Sequence, residues 1–209
     1  MPRAALSRER VLEAAIRLAD EGGIESLTMR KLGRALGVEA MSLYNHVANK
    51  DDLLDGIADI VLDEFELPAA DGDWEAAIRR TASSAHGALV SHPWACSLVM
   101  SRPRPGRMRY IDALLRCLRE AGFSADETFD AYHALDSHIL GYTMWELGHA
   151  FDPEEVDELA KTFLRQIQDV YPYLYEHAEQ HFDESRTRGK SGFEFGLDLI
   201  LDGLKRLRG

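Results

Sequence analysis

The sequence has few cysteines and no long apolar segment. Its 209 residues include two cysteines, Cys96 and Cys117, both in apolar surroundings with helical spacing. Such residues are usually unpaired thiols in a reducing compartment, so we expect no disulfide. No stretch approaches the roughly 18 consecutive apolar residues of a membrane-spanning helix. The first ten residues also lack the apolar core of a secretory signal, so we expect a soluble, cytoplasmic protein without a membrane partner.

An alternating strand pattern is missing as well. Apolar residues instead recur three and four positions apart, and capping residues, prolines and glycines divide them into segments. Ser124 and Glu127, for example, form a capping box that opens a helix running to about Ala150. The sequence therefore predicts an all-α protein of about nine or ten helices.

Positive charge is scarce outside the first quarter of the chain. The net charge is −12 overall but +2 over residues 1–50, so residues 51–209 carry −14. Residues 28–50 hold four basic side chains and one acidic one. Because phosphate repels an acidic surface and attracts a basic one, any contact with nucleic acid is expected within the first fifty residues.

Residues 28–50 have the pattern of two short helices that meet at a glycine. Thr28 is placed to cap the first helix, in which Leu32 and Ala35 belong to the apolar side. Gly37 suits the left-handed residue that ends a helix, and the small Ala35 is expected to let the second helix cross closely. This pattern is typical of a helix-turn-helix, whose second helix lies in the major groove of DNA.

From residue 6 to residue 67 the sequence resembles the DNA-binding domain of the tetracycline-repressor (TetR) family of bacterial regulators. The matching motifs are Val11–Ala15, Gly23–Glu25, Leu27–Leu32, Leu36–Val38, Leu43–Val47 and Asn49–Leu54. The last helix, around Phe195–Ile200, is similar to that of the subgroup after which the family is named. The resemblance implies a three-helix helix-turn-helix domain at residues 1–49, a connecting helix at 50–67, and a helical effector-binding and dimerisation domain at 68–209.

Nine residues are predicted to form the DNA-binding face. They are Thr28, Arg30, Ala40, Met41, Ser42, Tyr44, Asn45, His46 and Lys50. The recognition helix is expected over residues 39–45. Base edges are expected to be read by Arg30, Ser42 and Asn45. Phosphates are expected to be contacted by Tyr44, His46 and Lys50. Ala40 and Met41 replace more polar residues of the family, which implies apolar contacts, for example with thymine methyl groups, and a different operator.

A helix at residues 125–150 carries aromatic and polar residues on one face. Together with the helices before it, this face supplies the candidate ligand contacts Trp94, Met100, Arg102, Ile111, Leu114, Phe129, Tyr132, His133 and Asp136. One interpretation is a packed core with a hydrogen-bonded pair of His133 and Asp136. The other is a cavity that orients a small molecule. The resemblance favours the second interpretation, an effector pocket.

Apolar residues surround nearly the whole of the last helix, over residues 193–207. Either this helix is central to the core of one chain, or a second copy of the chain covers part of it. The resemblance favours the second alternative, since in related proteins this helix and the one at 125–150 form the four-helix core of a homodimer. The predicted interface residues are Leu197, Ile200, Leu201 and Leu204.

Several short patterns resemble catalytic or metal sites but are incomplete. His177 and His181 are four residues apart, yet Ala178 stands where a zinc protease needs a glutamate. Glu146 and His149 form one Glu-x-x-His step, whereas a di-iron bundle needs two. We therefore predict that the protein is not an enzyme and needs no metal or cofactor.

The residues that bind magnesium–tetracycline in members of the family are also replaced. Glu66, Ser137 and Trp145 stand where the resemblance places a drug-contacting histidine and a metal-linked histidine and glutamate. The implied function is a homodimeric repressor that leaves a palindromic DNA operator when a different small-molecule effector binds. Two alternatives are a DNA-binding protein without an effector and, less favoured, a small helical enzyme.

Overall fold

The structure, a computed structural model, describes residues 5–69, 72–101, 104–148, 162–182 and 191–208. Its helices are α1 (Arg8–Gly22), α2 (Met29–Leu36), α3 (Ala40–Leu43), α4 (Lys50–Asp63), α5 (Trp74–Ser91), α6 (Ala95–Ser101), α7 (Pro105–Glu120), α8 (Ala125–Gly148), α9 (Pro172–Phe182) and α10 (Gly192–Arg208). A 3-10 turn joins α1 to α2, and residues 162–167 are also helical. The all-α prediction is confirmed. No helix in these ranges is long and apolar enough to cross a membrane.

Local capping chemistry sets the helix boundaries. The side chains of Ser7, Asn49 and Asp73 each accept a hydrogen bond from the backbone N–H three residues later. Pro105 opens α7 at a position where the N–H would have no helical partner in any case. The helix that follows the helix-turn-helix ends at Asp63, so it is shorter than the connecting helix predicted for residues 50–67.

α4 is the element that the two halves of the molecule share. It packs against α1 within the N-terminal helices, which we call the head (residues 5–49), and against α5, α6 and α7 on its other side. Beyond α4, α8 packs against α5, α7 and α10. Buried apolar side chains form one cluster that runs from the head through α4 into these helices. A movement of α4 therefore affects both halves.

The start of α10 is held by a stack of rings. The buried Phe193 ring lies 4.0 Å from the ring of His86 and 4.9 Å from the ring of His138, measured between centroids. His86 Nδ1 is 2.8 Å from Thr143 Oγ1. Burial lowers the pKa of His86, and the carboxylate of Glu146 opposes this effect. The neutral imidazole is thus the form that this packing stabilises.

We expect the folded chain to lose stability as the pH falls below about 6.5. Because the pKa of His86 is lower in the folded chain than in the unfolded chain, the unfolded chain binds more protons in this range. Thermal unfolding between about pH 7.5 and about pH 5.5 measures the effect. The midpoint should fall less steeply for His86→Gln than for the wild type. Equal slopes for the two proteins would contradict this assignment.

Candidate functional site

The turn between α2 and α3 is closed by backbone contacts. Thr28 Oγ1 accepts a hydrogen bond from the Lys31 N–H at 3.2 Å, which confirms the predicted cap. Gly37 ends α2 in the left-handed conformation with φ 68°, also as predicted. The Val38 N–H donates to the Gly33 carbonyl at 2.9 Å, so the chain turns back onto the middle of α2.

The close crossing of α2 and α3 depends on a glycine that the sequence analysis did not single out. A Cβ atom on the buried Gly33 would lie 2.8 Å from the Val38 carbonyl oxygen and 3.2 Å from the Ala40 nitrogen. Ala35, the residue predicted to allow the crossing, is exposed. That prediction is wrong because the side chain of Ala35 points away from the turn.

α3 presents most of its side chains to solvent. Met41 is 75% exposed and Tyr44 is 43% exposed, whereas Leu43 is fully buried. Among the other predicted DNA contacts, Thr28, Arg30, Asn45 and Lys50 are exposed, and Ala40, Ser42 and His46 are partly exposed. The helical part covers Ala40–Leu43 and the next three residues form turns, so the recognition helix is shorter than the predicted residues 39–45.

An ion pair between α1 and α4 braces the end of this surface. Arg8 donates to both carboxylate oxygens of Asp52, at 2.7 and 2.9 Å, and to the His46 carbonyl at 3.0 Å. The Ala48 N–H donates to the same carboxylate at 2.7 Å. The hydrogen bond from Arg8, supported by that from Ala48, lowers the pKa of Asp52 to about 2. The turn that follows α3 is therefore fixed to both flanking helices.

The structure brings together only part of the predicted ligand-contacting set. On α8 the Tyr132 hydroxyl donates to Asp136 Oδ2 at 3.4 Å, and on α7 Leu114 is buried and Ile111 is partly buried. Phe129 and Met100 are 62% and 59% exposed, and His133 is exposed as well. Arg102 lies outside the described residues. Phe129 and His133 lie to one side of the buried face of α8, which is centred on Ala131, Leu135 and Ile139.

The predicted pair of His133 and Asp136 does not form. His133 Nδ1 instead lies 2.8 Å from the Phe129 carbonyl oxygen. The partner of Asp136 is Arg107, whose Nη2 donates to Asp136 Oδ2 and also lies 3.4 Å from the Tyr132 hydroxyl. Arg107, which is nine-tenths buried, was not among the predicted ligand contacts.

Tyr110 completes this cluster from the next turn of α7. The Arg107 guanidinium lies 5.1 Å from the centre of the Tyr110 ring, and burial raises the pKa of the Tyr110 hydroxyl. Burial on its own would lower the pKa of Arg107, but the hydrogen bond and charge of Asp136 raise it above the ordinary value. The site thus contains a fixed positive charge, a carboxylate and two neutral phenols.

Trp94 belongs to a different contact, between the head and the rest of the chain. Its buried indole Nε1–H donates to Asp20 Oδ1 in α1 at 2.7 Å. His92 Nδ1 is 2.8 Å from the same oxygen, and His92 Nε2 is 3.4 Å from Glu64 Oε1 just beyond α4. The polar atom of this predicted ligand contact thus faces the head.

The predicted interface residues of α10 are mostly covered by their own chain. Leu197 and Leu201 are fully buried and Leu204 is 6% exposed, while Ile200 is partly buried. These leucines pack in the core of the single chain, so they do not form a contact surface. The large apolar side chains that α10 exposes are Phe195, Leu199 and Leu207.

A surface cleft of about 290 Å³ lies between α7 and the connection from α4 to α5. Its lining residues are Pro68, Ala69, Gly72, Trp74, Ala113, Arg116, Cys117, Glu120 and Ala121. None of the predicted ligand-contacting residues is among them. Within the described parts of the chain, no three or more histidine, cysteine or acidic side chains are grouped as metal ligands would be.

Comparison with known families finds two matching segments along the chain. Residues 11–57 match the family described as bacterial regulatory proteins, tetR family. Residues 67–208 match the tetracyclin repressor-like C-terminal domain. The HTH-type transcriptional repressor DrrR1 of Streptomyces coeruleorubidus is 32% identical over 99% of this chain and 80% of its own length. The tetracycline repressor protein class C of Escherichia coli is 32% identical over 97% of this chain and 92% of its own.

Solved structures show the same similarity over the whole chain. A possible TetR family transcriptional regulator from Streptomyces coelicolor A3(2) is 31% identical, with a TM-score of 0.76 over 96% of this chain and 100% of that chain. ActR of Streptomyces coelicolor in complex with (S)-DNPA is 25% identical, with a TM-score of 0.74 over 99% and 100%. BioQ with its double-stranded DNA operator is 28% identical, with a TM-score of 0.63 over 96% and 98%. The chain therefore belongs to the TetR family of bacterial regulatory proteins, and it is a transcriptional regulator, not an enzyme.

Proposed function

We propose that this protein is a homodimeric, cytoplasmic repressor that binds a palindromic operator and leaves it when a small molecule binds between α7 and α8. The observation that carries the proposal is the surface of α3, where Met41 and Tyr44 are exposed beside basic residues. This combination of exposed apolar and basic side chains fits a surface that contacts thymine methyl groups and phosphates. BioQ holds a DNA operator and ActR holds a small molecule in structures with the same fold, which supports both parts.

The proposed organisation follows the position of α4. We assign residues 1–49 to DNA binding, 50–67 to the connection, and 68–209 to effector binding and dimerisation. Lys50 begins α4 at the edge of the DNA-binding surface, while Leu62 near its other end packs against α7. Effector binding near α7 then has a short physical route to the operator.

A second copy of the chain is the proposed partner for the outer surfaces of α8 and α10. On α8 the exposed small residues Ala134, Ser137 and Gly141 share one side, and on α10 Leu199 and Leu207 are each 58% exposed. The two helices pack against each other, so they can present these surfaces together. Exposed apolar area of this kind marks interaction sites, and small residues let helices approach closely. We call this surface the outer α8–α10 face.

Salt and two substitutions test the DNA-binding assignment. On a DNA duplex from the region upstream of the protein's own gene, DNA-binding affinity should fall steeply as the salt concentration rises, because phosphate contacts release counterions. Lys50→Ala should weaken binding to all sequences alike and reduce the salt slope by about 1 per half-site. Asn45→Ala should cost about 1–3 kcal/mol and relax the preference at particular base pairs. Quantitative mobility shifts against a set of single-base variants of the operator separate the two effects.

Arg116→Ala is the matched control for charge, because it removes one exposed basic residue of α7, outside the head. It should leave operator affinity unchanged at every salt concentration. If Lys50→Ala behaved like this control, and Asn45→Ala kept every base preference, the assigned surface would be wrong. A chain that binds the operator but responds to no small molecule would be a regulator without an effector.

A further inference from the structure

The cluster of Arg107, Tyr110, Tyr132 and Asp136 contains polar atoms that the cluster itself does not satisfy. The Arg107 and Asp136 side chains are 11% and 15% exposed, so both charges are largely removed from water. A buried ion pair offsets its desolvation only when its remaining polar atoms also have partners. Among the described residues, neither the hydroxyl of the fully buried Tyr110 nor Asp136 Oδ1 has a hydrogen-bond partner. Each of these buried polar atoms therefore needs a further partner, such as a bound ligand or a water.

A row of aromatic rings connects this cluster with solvent. The ring of the half-buried Tyr132 lies 5.0 Å from that of His133, which lies 4.3 Å from that of the exposed Phe129. The Tyr132 hydroxyl, at the inner end, is 3.4 Å from both Arg107 Nη2 and Asp136 Oδ2. Aromatic side chains attract other rings in stacked or edge-on arrangements. We call these three residues the aromatic rim.

The charge of a ligand decides whether it pairs with Arg107 or with Asp136, and which of the two it leaves without a partner. A cationic ligand would pair with Asp136 and leave Arg107 buried and unpaired, because a guanidinium does not give up its proton in proteins. An anionic ligand would take the place of Asp136 on Arg107 and so keep the buried guanidinium paired. The Tyr110 hydroxyl is a further donor for an anion. The cluster therefore favours a negative ligand.

We propose that the effector is an aromatic acid. Its anionic group replaces Asp136 on Arg107, and its ring packs on the aromatic rim. This inference rests on the proposed function, to which it adds the chemical class of the effector and the residue that recognises its charge.

The start of α7 also contacts the connecting helix α4. Replacement of Asp136 by a ligand on Arg107 can therefore change the position of α4 and, through it, operator binding. Arg104 Nη1 lies 2.6 Å from Asp55 Oδ1, and Arg109 pairs with Asp63 at the end of α4. Between them, Gly106 packs so closely on α4 that a Cβ atom there would lie 3.1 Å from Leu62 Cβ. Arg107 is the next residue, so its movement toward a ligand shifts the segment that positions α4.

Isothermal calorimetry on the full chain with three probes tests the inference: naphthoate, its uncharged analogue naphthamide, and the cation naphthylmethylamine. Charge-assisted hydrogen bonds contribute about 1.5–3 kcal/mol, so naphthoate should bind at least about tenfold more tightly than naphthamide. Arg107→Gln should abolish this preference. Asp136→Asn should strengthen naphthoate binding by about tenfold, because Arg107 is no longer held by a carboxylate. Arg119→Gln, the same change at an exposed arginine of α7 outside the cleft, should leave all three affinities unchanged.

Equal binding of naphthoate and naphthamide to the wild type would overturn the inference, and so would a preference for the amine. If Arg107→Gln failed to fold, Asp136→Asn would still decide, since weaker naphthoate binding there would exclude exchange on Arg107. Operator affinity measured on the same samples separates this inference from the proposed function. Charge-selective binding by a chain that does not bind DNA would leave the site standing and remove the repressor assignment. Operator binding by a chain without selectivity for the acid would leave the repressor assignment standing and overturn the proposed acid site.

Discussion

Gly33→Ala is expected to abolish specific operator binding. The added methyl group would lie 2.8 Å from a backbone oxygen and 3.2 Å from a backbone nitrogen in the turn, and neither atom has a side chain's freedom to move away. Overpacking of this kind typically costs 1–3 kcal/mol of folding free energy. Relief of the clash requires α3 to move away from α2, which misplaces every base-contacting side chain together. Mobility shifts measure the loss of affinity, and thermal unfolding measures the loss of stability.

Gly87→Ala is the matched control for this change. It places the same methyl group on an exposed helical glycine with no atom within 4 Å of the new Cβ, so we expect a stabilisation of about 0.5–1 kcal/mol and unchanged operator binding. If Gly33→Ala retained wild-type affinity, the close crossing of α2 and α3 would not be needed for DNA recognition.

Leu199→Glu is expected to convert the protein into monomers and to lower operator affinity by about 10²–10⁴-fold. Leu199 is 58% exposed in the single chain, so a glutamate there costs the chain's own fold little. In a dimer through the outer α8–α10 face, the same carboxylate would be buried without a partner. A monomer contacts one half-site at a time and loses the avidity of two linked heads, which is the source of the expected factor. Sedimentation equilibrium and mobility shifts check the two parts.

Leu67→Glu provides the comparison, since Leu67 is 43% exposed and lies in the connection between α4 and α5, away from the outer α8–α10 face. This variant should remain a dimer with wild-type operator affinity. A dimeric Leu199→Glu protein would show that the chain associates through another surface. Leu197 and Leu204 are unsuitable for this test because their substitution would disrupt the core of each chain.

Features determined by neighbouring residues could be predicted from the sequence. Ser124 and Glu127 form the predicted capping box, with reciprocal hydrogen bonds of 2.7 and 3.2 Å. The cap at Thr28 and the glycine that ends α2 also lie where the spacing placed them. Each depends on a few consecutive residues, whose side chains compete locally for the free backbone groups of a helix end.

Contacts between distant residues could not be read in the same way. Arg107 and Asp136 are 29 positions apart, and Arg8 and Asp52 are 44 apart. Helical spacing places Phe129, His133 and Asp136 close together, but it does not show which side of this group turns inward. That choice depends on how α5, α7 and α10 pack around α8. His133 was therefore taken as the partner of Asp136, whereas the actual partner comes from another helix.

The hydrogen bond between Asp20 and Trp94 limits how freely the head can be exchanged for the head of another family member. A chimera joined at residue 49 whose new head carries no aspartate at position 20 would change this contact. The indole N–H of the buried Trp94 and the ring of His92 would then lose the acceptor that they share. A buried donor left without a partner costs about 1–3 kcal/mol of folding free energy. A new head is thus compatible with the rest of the chain only if it supplies a hydrogen-bond acceptor to Trp94 at position 20. Operator specificity and effector response therefore cannot be recombined freely at the boundary between domains.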